Sequence, residues 1–331
     1  MGRNHTNLSN CYKPLPFQLP TSNQKEDGQH TSSRVTKRTQ QQQQILPINR
    51  DDGNGQSRSP HGLRWLRIET GITSATGSAL VELGHTKVLA EVIGPTTQPP
   101  NNTSSSCSMD EGTLECIVTY VPNVGYPLVS LVGATAAALS DNSAQPQQPS
   151  IGRMNTRVAA NEKELASQLQ ASLAAAVPLQ QYPKHWIIVQ VTVLQDDGST
   201  LSACTSAASM ALVDASVEVY DMVTSATVAV TNSTDANNTS PVTLLLADPT
   251  YEEMAHASAV VTLSVMPNWK EVTLWNQSGR LSSTTANEAI ALCRDGCRTM
   301  HKFMRTALLT NMIMSNKDGG EGKEDVVMKD S

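Results

Sequence analysis

No stretch of the sequence approaches the ~18 consecutive apolar residues that a membrane-spanning helix needs, so no part of it is expected to cross a bilayer. The opening residues, MGRNHTNLSNCYKPLPF, lack the apolar segment of about 7–15 residues that marks a secretory leader. Cysteine is sparse. Six (Cys11, Cys107, Cys116, Cys204, Cys293 and Cys297) among 331 residues are too few for a disulfide scaffold and fit a reduced, intracellular setting. Asn-x-Ser/Thr matches such as Asn102 and Asn238 are chance in a chain this rich in Asn, Ser and Thr. Catalytic signatures are missing as well. There is no G-x-S-x-G, no G-x-x-x-x-G-K-[ST], no G-x-G-x-x-G, and the seven histidines form no H-E-x-x-H or H-x-H pair. These absences predict a soluble intracellular protein without a familiar nucleotide or metal motif.

A positive excess is missing from the part that should fold. The net charge is −6, but residues 1–60 hold 8 basic and 4 acidic groups, residues 61–311 hold 13 and 21, and residues 312–331 hold 3 and 5. A protein that grips nucleic acid by itself places its cations on the folded surface. Here they sit on the tail, which argues against tight RNA or DNA binding by the core alone.

Composition divides the chain in three. Residues 1–60, with the run Gln40–Gln44 and the stretch DDGNGQSRSP, bury too little apolar surface to offset ordering entropy and read as a disordered polar tail. Residues 61–311 read as one folded unit, and 312–331 as a disordered charged tail. Within the middle part Gln98–Met109, Ser140–Gly152 and Asn232–Pro241 read as loops. LRWLRIET (63–70), SALVELG (78–84) and TKVLAEVI (86–93) alternate as strands, the last two joined by a tight turn at Gly84-His85. LECIVTYV (114–121) is a further strand. From Glu164 to Val177 the period changes: Leu165, Leu169 and Leu173 lie four apart, which predicts a helix on a sheet. HWIIVQVTVL (185–194) is a strand, and Thr200–Ser216, rich in Ala and Ser, a closely packed helix. Strands near 222–230, 242–247, 258–266 and 270–275 follow. A last helix is expected from Thr285, where Thr285-x-x-Glu288 fits a capping box, to Leu309. The order predicts an α+β fold, helices covering one face of mostly antiparallel sheet, in a roughly duplicated pattern.

Two places invite chemistry. At VLQDDGSTLSA (193–203) a strand turns into a helix, and the N–H groups of Gly198, Ser199 and Thr200 would point from the helix start as an anion site; an ordinary β-turn with a Ser/Thr cap explains the same residues. No cation follows, since the next positions are Leu201, Ser202 and Ala203. The second place is Asp248-Pro249-Thr250-Tyr251-Glu252-Glu253, whose carboxylates could hold a hard divalent cation, though a strand-end turn with solvated acids is the simpler expectation. Cys293 and Cys297, four apart on the last helix, lack a third ligand and read as two reduced, partly buried thiols rather than a zinc site.

Three segments carry a resemblance. LRWLRIETGITSATGSALVELGHTKVLAEVIGP (63–95), YPKHWIIVQVTVLQDDGSTLSACTSAASMALVDASVEVYDMV (182–223) and LLLADPTYEEMAHASAVVTLSVMP (244–267) are similar to the RNase PH family. The closest branch is that of the six-membered ring of the eukaryotic RNA exosome. Within it ASVEVYDMV and LLADPTYEE look most like the mRNA-transport-regulator (Mtr) type, with the ribosomal-RNA-processing (Rrp) type second. The likeness spans about residues 62–310. It implies the RNase PH-like fold of two similar β-α units (ribosomal protein S5 domain 2-like). It also implies the family's reaction, attack of phosphate on the 3′-terminal phosphodiester of RNA with release of nucleoside diphosphates.

Active members, the resemblance implies, bind phosphate with a D-G-G/S-T/S-R turn plus an Arg ahead of the middle helix, and place a metal with two Asp six residues apart. This sequence departs at each point. Leu201 stands where the turn Arg belongs, Asn161 where the second Arg belongs, and Met254 six residues after Asp248. Loss of two charge-assisted anchors makes phosphorolysis implausible. Gly198, Ser199 and Thr200 are then a vestigial phosphate turn and Asp248 a vestigial metal position, with no catalytic residues, no bound metal and no cofactor expected. The alternative is an active phosphorolytic exoribonuclease using Glu253 for metal and Lys163 for phosphate. RNA-contact candidates are Arg153 and Arg157, with Arg64 and Arg67 secondary. The implied partners are other RNase PH-like ring subunits, an S1/KH cap subunit and RNA in the central channel, with no membrane. The implied locations are the nucleus, nucleolus included, and the cytoplasm; Lys37-Arg38 is too short to argue a nuclear signal.

Overall fold

A computed structural model describes residues 50–53, 55–98, 110–121, 151–233 and 242–318, with side chains described for all of these but 151–158, 233, 242 and 311–318. The tail readings for 1–49 and 319–331 and most of the three expected loops lie outside the described residues.

The first sheet is built from β1 (Leu66–Thr70), β2 (Gly77–Leu83), β3 (Thr86–Thr96), β4 (Thr113–Tyr120) and β5 (Trp186–Gln195) in the order β1-β2-β3-β5-β4. β2 and β3 form the hairpin expected from the sequence: Leu83 pairs with Thr86 across Gly84-His85, and Gly84 takes a φ of 58°. All pairs are antiparallel except β4 with β5, where Thr113 lies beside Trp186 and Tyr120 beside Val193. A parallel pair needs a crossover, and α1 (Ile151–Ala174) lies on that connection. Helix α1 begins well before the expected Glu164. Leu165, Leu169 and Leu173 face the core as the spacing predicts, while the added turns carry no such stripe.

Alternation along the strands buries one face of this sheet: Val88, Ala90 and Val92 of β3, and Val189, Val191 and Val193 of β5, are wholly covered. Over them lies α2 (Thr200–Asp214), in which every residue from Leu201 to Leu212 is buried. Its Ala, Ser and Cys side chains allow a close approach. At Gly77 no side chain is possible, because a Cβ would lie 2.2 Å from the Ala215 nitrogen and 2.5 Å from the Ala211 carbonyl oxygen.

The second sheet runs β7-β6-β8-β9, wholly antiparallel, from β6 (Thr224–Ser233), β7 (Val242–Ala247), β8 (Ala259–Met266) and β9 (Glu271–Gly279). Helix α2 also contacts this sheet, where the Ser202 hydroxyl donates to the Ser225 carbonyl. On the other side lies α4 (Ser283–Asp318), which packs Leu292, Cys293 and Cys297 against Val228, Val261 and Leu263. The single helix-covered sheet expected from the sequence is thus two sheets sharing α2. Both thiols are fully buried, and burial pushes Cys297 up to about 12, which keeps it protonated. Helix α4 runs past the expected boundary at 311, and its cap is the Ser282 hydroxyl, which accepts from the Thr285 N–H at 3.2 Å, in place of the expected Thr285–Glu288 box.

The other correction lies at the start. Residues 50–60 are not outside the folded unit, because Arg50, Asp52 and Arg58 are buried in it. The described fold starts at least eleven residues before the expected boundary of 61.

Candidate functional site

Strand β5 ends at Gln195, and the chain turns through Asp196-Asp197-Gly198-Ser199 into α2. Gly198 and Ser199 have φ of 86° and 54°, so two successive residues are left-handed. Glycine is required at 198, since a Cβ there would stand 2.7 Å from the Thr250 carbonyl carbon and 2.7 Å from the Tyr251 nitrogen. That crowding is the contact between the turn and the Asp248–Glu253 segment. The Tyr251 N–H donates to the Asp197 carbonyl at 3.1 Å, and the Ser199 hydroxyl to the Pro249 carbonyl at 3.0 Å. The structure therefore brings the two sequence-predicted places into one site.

The donors of the turn are engaged from within the protein. The Gly198 N–H donates to Asp196 Oδ1 at 3.0 Å, and the Thr200 hydroxyl donates to the same oxygen. The Tyr120 hydroxyl reaches Asp196 Oδ2 at 3.2 Å. A carboxylate thus sits where an incoming anion would have to lie. Leu201, at the place of the absent arginine, is buried and offers no charge.

Next to the turn lies a network that local sequence reading missed. Asp248 has a φ of 49° and is buried. Its Oδ2 accepts from the Arg64 backbone N–H and Nε, both at 3.0 Å, and its Oδ1 from Arg64 Nη2 at 2.8 Å. Arg58 Nη1 stands 3.8 Å from Oδ2. Burial pushes the carboxyl up, but Arg64 and Arg58 outweigh it and hold Asp248 at about 2. Arg64 also donates to the Asp197 carbonyl at 2.8 Å and the Gly198 carbonyl at 3.0 Å, tying the turn to Asp248. Although burial disfavours its charge, Asp248 raises Arg64 above the ordinary guanidinium value.

Glu253 is equally engaged. Its Oε1 accepts from Arg50 Nε at 2.5 Å, and its Oε2 from Arg50 Nη2 at 3.2 Å, Arg58 Nη2 at 3.4 Å and the Thr250 N–H at 3.0 Å. The Thr250 hydroxyl in turn accepts from the Glu253 N–H. That capping box starts the short helix α3 (Tyr251–Ala255). The acids of this segment were expected to be solvated. Asp248 and Glu253 are instead the buried anions of a five-membered ion network with Arg50, Arg58 and Arg64.

The residues do not fit a divalent metal. A cation would need lone pairs on Asp248 or Glu253 that now face guanidinium groups, and Met254 supplies no carboxylate. Among the described residues no three His, Cys, Asp or Glu side chains cluster as metal ligands. Asn161, aligned with an arginine ahead of a helix, lies within α1 instead.

Two of the four RNA-contact candidates change status. Arg64 is 1% exposed and bound to Asp248, so it cannot reach RNA. Arg67 is partly exposed but bonded to Glu69 and 3.7 Å from Glu82. Arg153 and Arg157 lie on the first turns of α1, and their side chains are outside the description. Arg50 and Arg58 were missed because their partners are about 200 residues away; the single local signal was an arginine excess in a segment otherwise free of apolar residues.

With the geometry in place, three likenesses accord with it. The model of the 3′ exoribonuclease family, domain 1, matches residues 62–218. The exosome complex component RRP41-like of Arabidopsis thaliana is 29% identical over 273 residues, 82% of this chain and 89% of that protein. The exosome complex component MTR3 of Mus musculus is 30% identical over 261 residues, 78% of this chain and 87% of that protein. In fold, the crystal structure of rice (Oryza sativa) Rrp46 superposes with a TM-score of 0.55 at 20% identity, covering 76% of this chain and 98% of that one. The expected RNase PH-like fold stands, and the chain belongs to the RNase PH family, on the side of its exosome components.

Proposed function

We propose that the chain is a non-catalytic RNase PH-like subunit of the RNA exosome core ring, supporting 3′–5′ RNA processing and degradation by enclosing the RNA channel. One observation carries the reading. Asp248, the carboxylate that matches the family's metal position, has both oxygens bonded to Arg64. The phosphate turn beside it lacks an arginine and points its donors at Asp196. Phosphoryl chemistry relies on preorganised positive charge facing the reacting phosphate; here the positive charge is spent on carboxylates within the fold.

The partners in this reading are other RNase PH-like ring subunits, an S1/KH cap subunit and RNA in the channel. The locations are the nucleus, nucleolus included, and the cytoplasm. Arg153 and Arg157 carry the RNA contact, because Arg64 and Arg67 are engaged elsewhere. The 21 acidic against 13 basic residues of 61–311 suit a subunit held by partners more than one that binds RNA unaided.

The test is purification of the tagged chain from its own cells, followed by a phosphorolysis assay. Near-equal recovery of five other RNase PH-like subunits, without release of nucleoside diphosphates by this chain, is the expected result. Phosphate-dependent release by the purified chain, lost in Lys163→Ala, would establish the active alternative. Lys163 is exposed on α1, so that substitution leaves the fold intact.

A further inference from the structure

The face of the first sheet turned away from α2 is more apolar than a solvated face should be. Antiparallel sheets with one wet side place polar residues there. On β2 to β5 the inward residues are buried, while the outward ones include Leu80, Leu89, Ile93, Ile117 and Leu194. Ile93, Ile117 and Leu194 are 44%, 36% and 39% exposed. The register makes them one surface: Leu80 lies beside Leu89, Leu89 beside Thr192, Ile93 beside Ile188, and Ile117 beside Gln190. No helix among the described residues packs on this face, because α1 and α2 lie on the buried one.

Charge restricts the occupant. The face and its rim carry Glu69, Glu82, Glu91 and Glu115 against Arg67 and Lys87. Both cations are already engaged, Arg67 with Glu69 and Lys87 with Glu82 at 3.3 Å. An acidic excess repels RNA and anionic lipid alike, and the aliphatic centre favours exclusion of water.

We propose that this open sheet face docks a protein surface that is aliphatic at its centre and carries an excess of Lys and Arg at its rim. The proposal rests on the ring-subunit reading and names the side of the chain by which a protein neighbour holds it. The aliphatic centre supplies the buried core of the contact, and the glutamates fix its orientation through charge pairing.

The test uses the full chain with Ile117→Cys, produced alone and together with the other RNase PH-like subunits. Maleimide labelling of position 117 is followed by peptide mass spectrometry. Labelling should be fast in the isolated chain and at least about ten-fold slower in the assembly, since an interface core excludes water. Glu91→Lys should lower incorporation of the chain, and Glu91→Gln should lower it less. Slow labelling in the isolated chain would mean that the chain covers its own face, overturning the proposal. Equal labelling in both states, in an assembly that does form, would overturn the proposal alone. Failure of the unsubstituted chain to assemble would overturn the ring reading, and the proposal with it.

Discussion

Replacing Asp248 by Asn separates a structural carboxylate from a catalytic one. In the native protein Asp248 accepts three hydrogen bonds from Arg64 at 2.8–3.0 Å and faces Arg58 at 3.8 Å. The substitution keeps the volume and removes the charge, leaving two buried guanidinium groups with less compensation. Arg64 would keep the two carbonyls of Asp197 and Gly198 and a carboxylate oxygen of Asp197 at 3.6 Å. Breaking a buried ion pair from one side costs about 3–5 kcal/mol. For a folded unit of this size that corresponds to a fall in Tm on the order of 10 °C. Urea unfolding followed by circular dichroism would read the loss. Replacing both partners (Asp248→Leu with Arg64→Met) should cost less than the single changes added together, because no orphaned charge remains. A single variant within about 0.5 kcal/mol of the native protein would refute the reasoning, since that is the range of an ordinary surface change.

Three further outcomes follow from the same geometry. Acid should loosen the network: Asp248 is held at about 2 against an ordinary 3.8, so its stabilising share is complete above the unfolded value and vanishes as pH falls through the folded one. Unfolding free energy measured from pH 5 downward should therefore drop, and the drop should be smaller in Asp248→Asn. Gly198→Ala should destabilise by roughly 1–3 kcal/mol, since it meets both a left-handed φ and the backbone of Thr250 and Tyr251; an unchanged urea midpoint would show that the turn can relax. Leu201→Arg should not confer phosphate-dependent diphosphate release, because Asp196 still holds the Gly198 N–H and the Thr200 hydroxyl. Release at any level above that of the native chain would sink that claim.

Periodicity made most elements legible. The β2–β3 hairpin, the β5–turn–α2 unit and the strands of the second sheet lie within a few residues of their expected places, because each combines alternation or a four-residue repeat with a Gly or Ser/Thr boundary. The start of α1 was not legible, because Ile151 to Lys163 lacks both a cap residue and an apolar stripe. The assignment of residues 50–60 to a tail failed for a different reason. RDDGNGQSRSP is polar enough to stay in water, and Arg50 and Arg58 become interior residues only because Glu253 and Asp248 arrive from the second half of the chain. Such pairing leaves no local period. Sequence reading found the two halves of the site, Gly198–Thr200 and Asp248–Glu253, but not the arginines that join them.

Those arginines explain how such motifs can persist in a fold without the chemistry they suggest. Gly198 has a packing reason to be glycine, the backbone of Thr250 and Tyr251. Asp248 has an electrostatic reason to be aspartate, Arg64. Glu253 serves both as the box partner of Thr250 and as the counter-ion of Arg50. Each would be selected for stability alone, so their presence says little about turnover. The residues that could tell are those with no structural duty at the site, namely cations free to face a phosphate. At the turn that position is Leu201, a buried side chain in the first turn of α2, and the arginines nearest to it, Arg58 and Arg64, are bound to the protein's own acids. Chemistry in this fold is therefore read from uncommitted charge more reliably than from motif, and by that measure the site holds the two halves of the domain together.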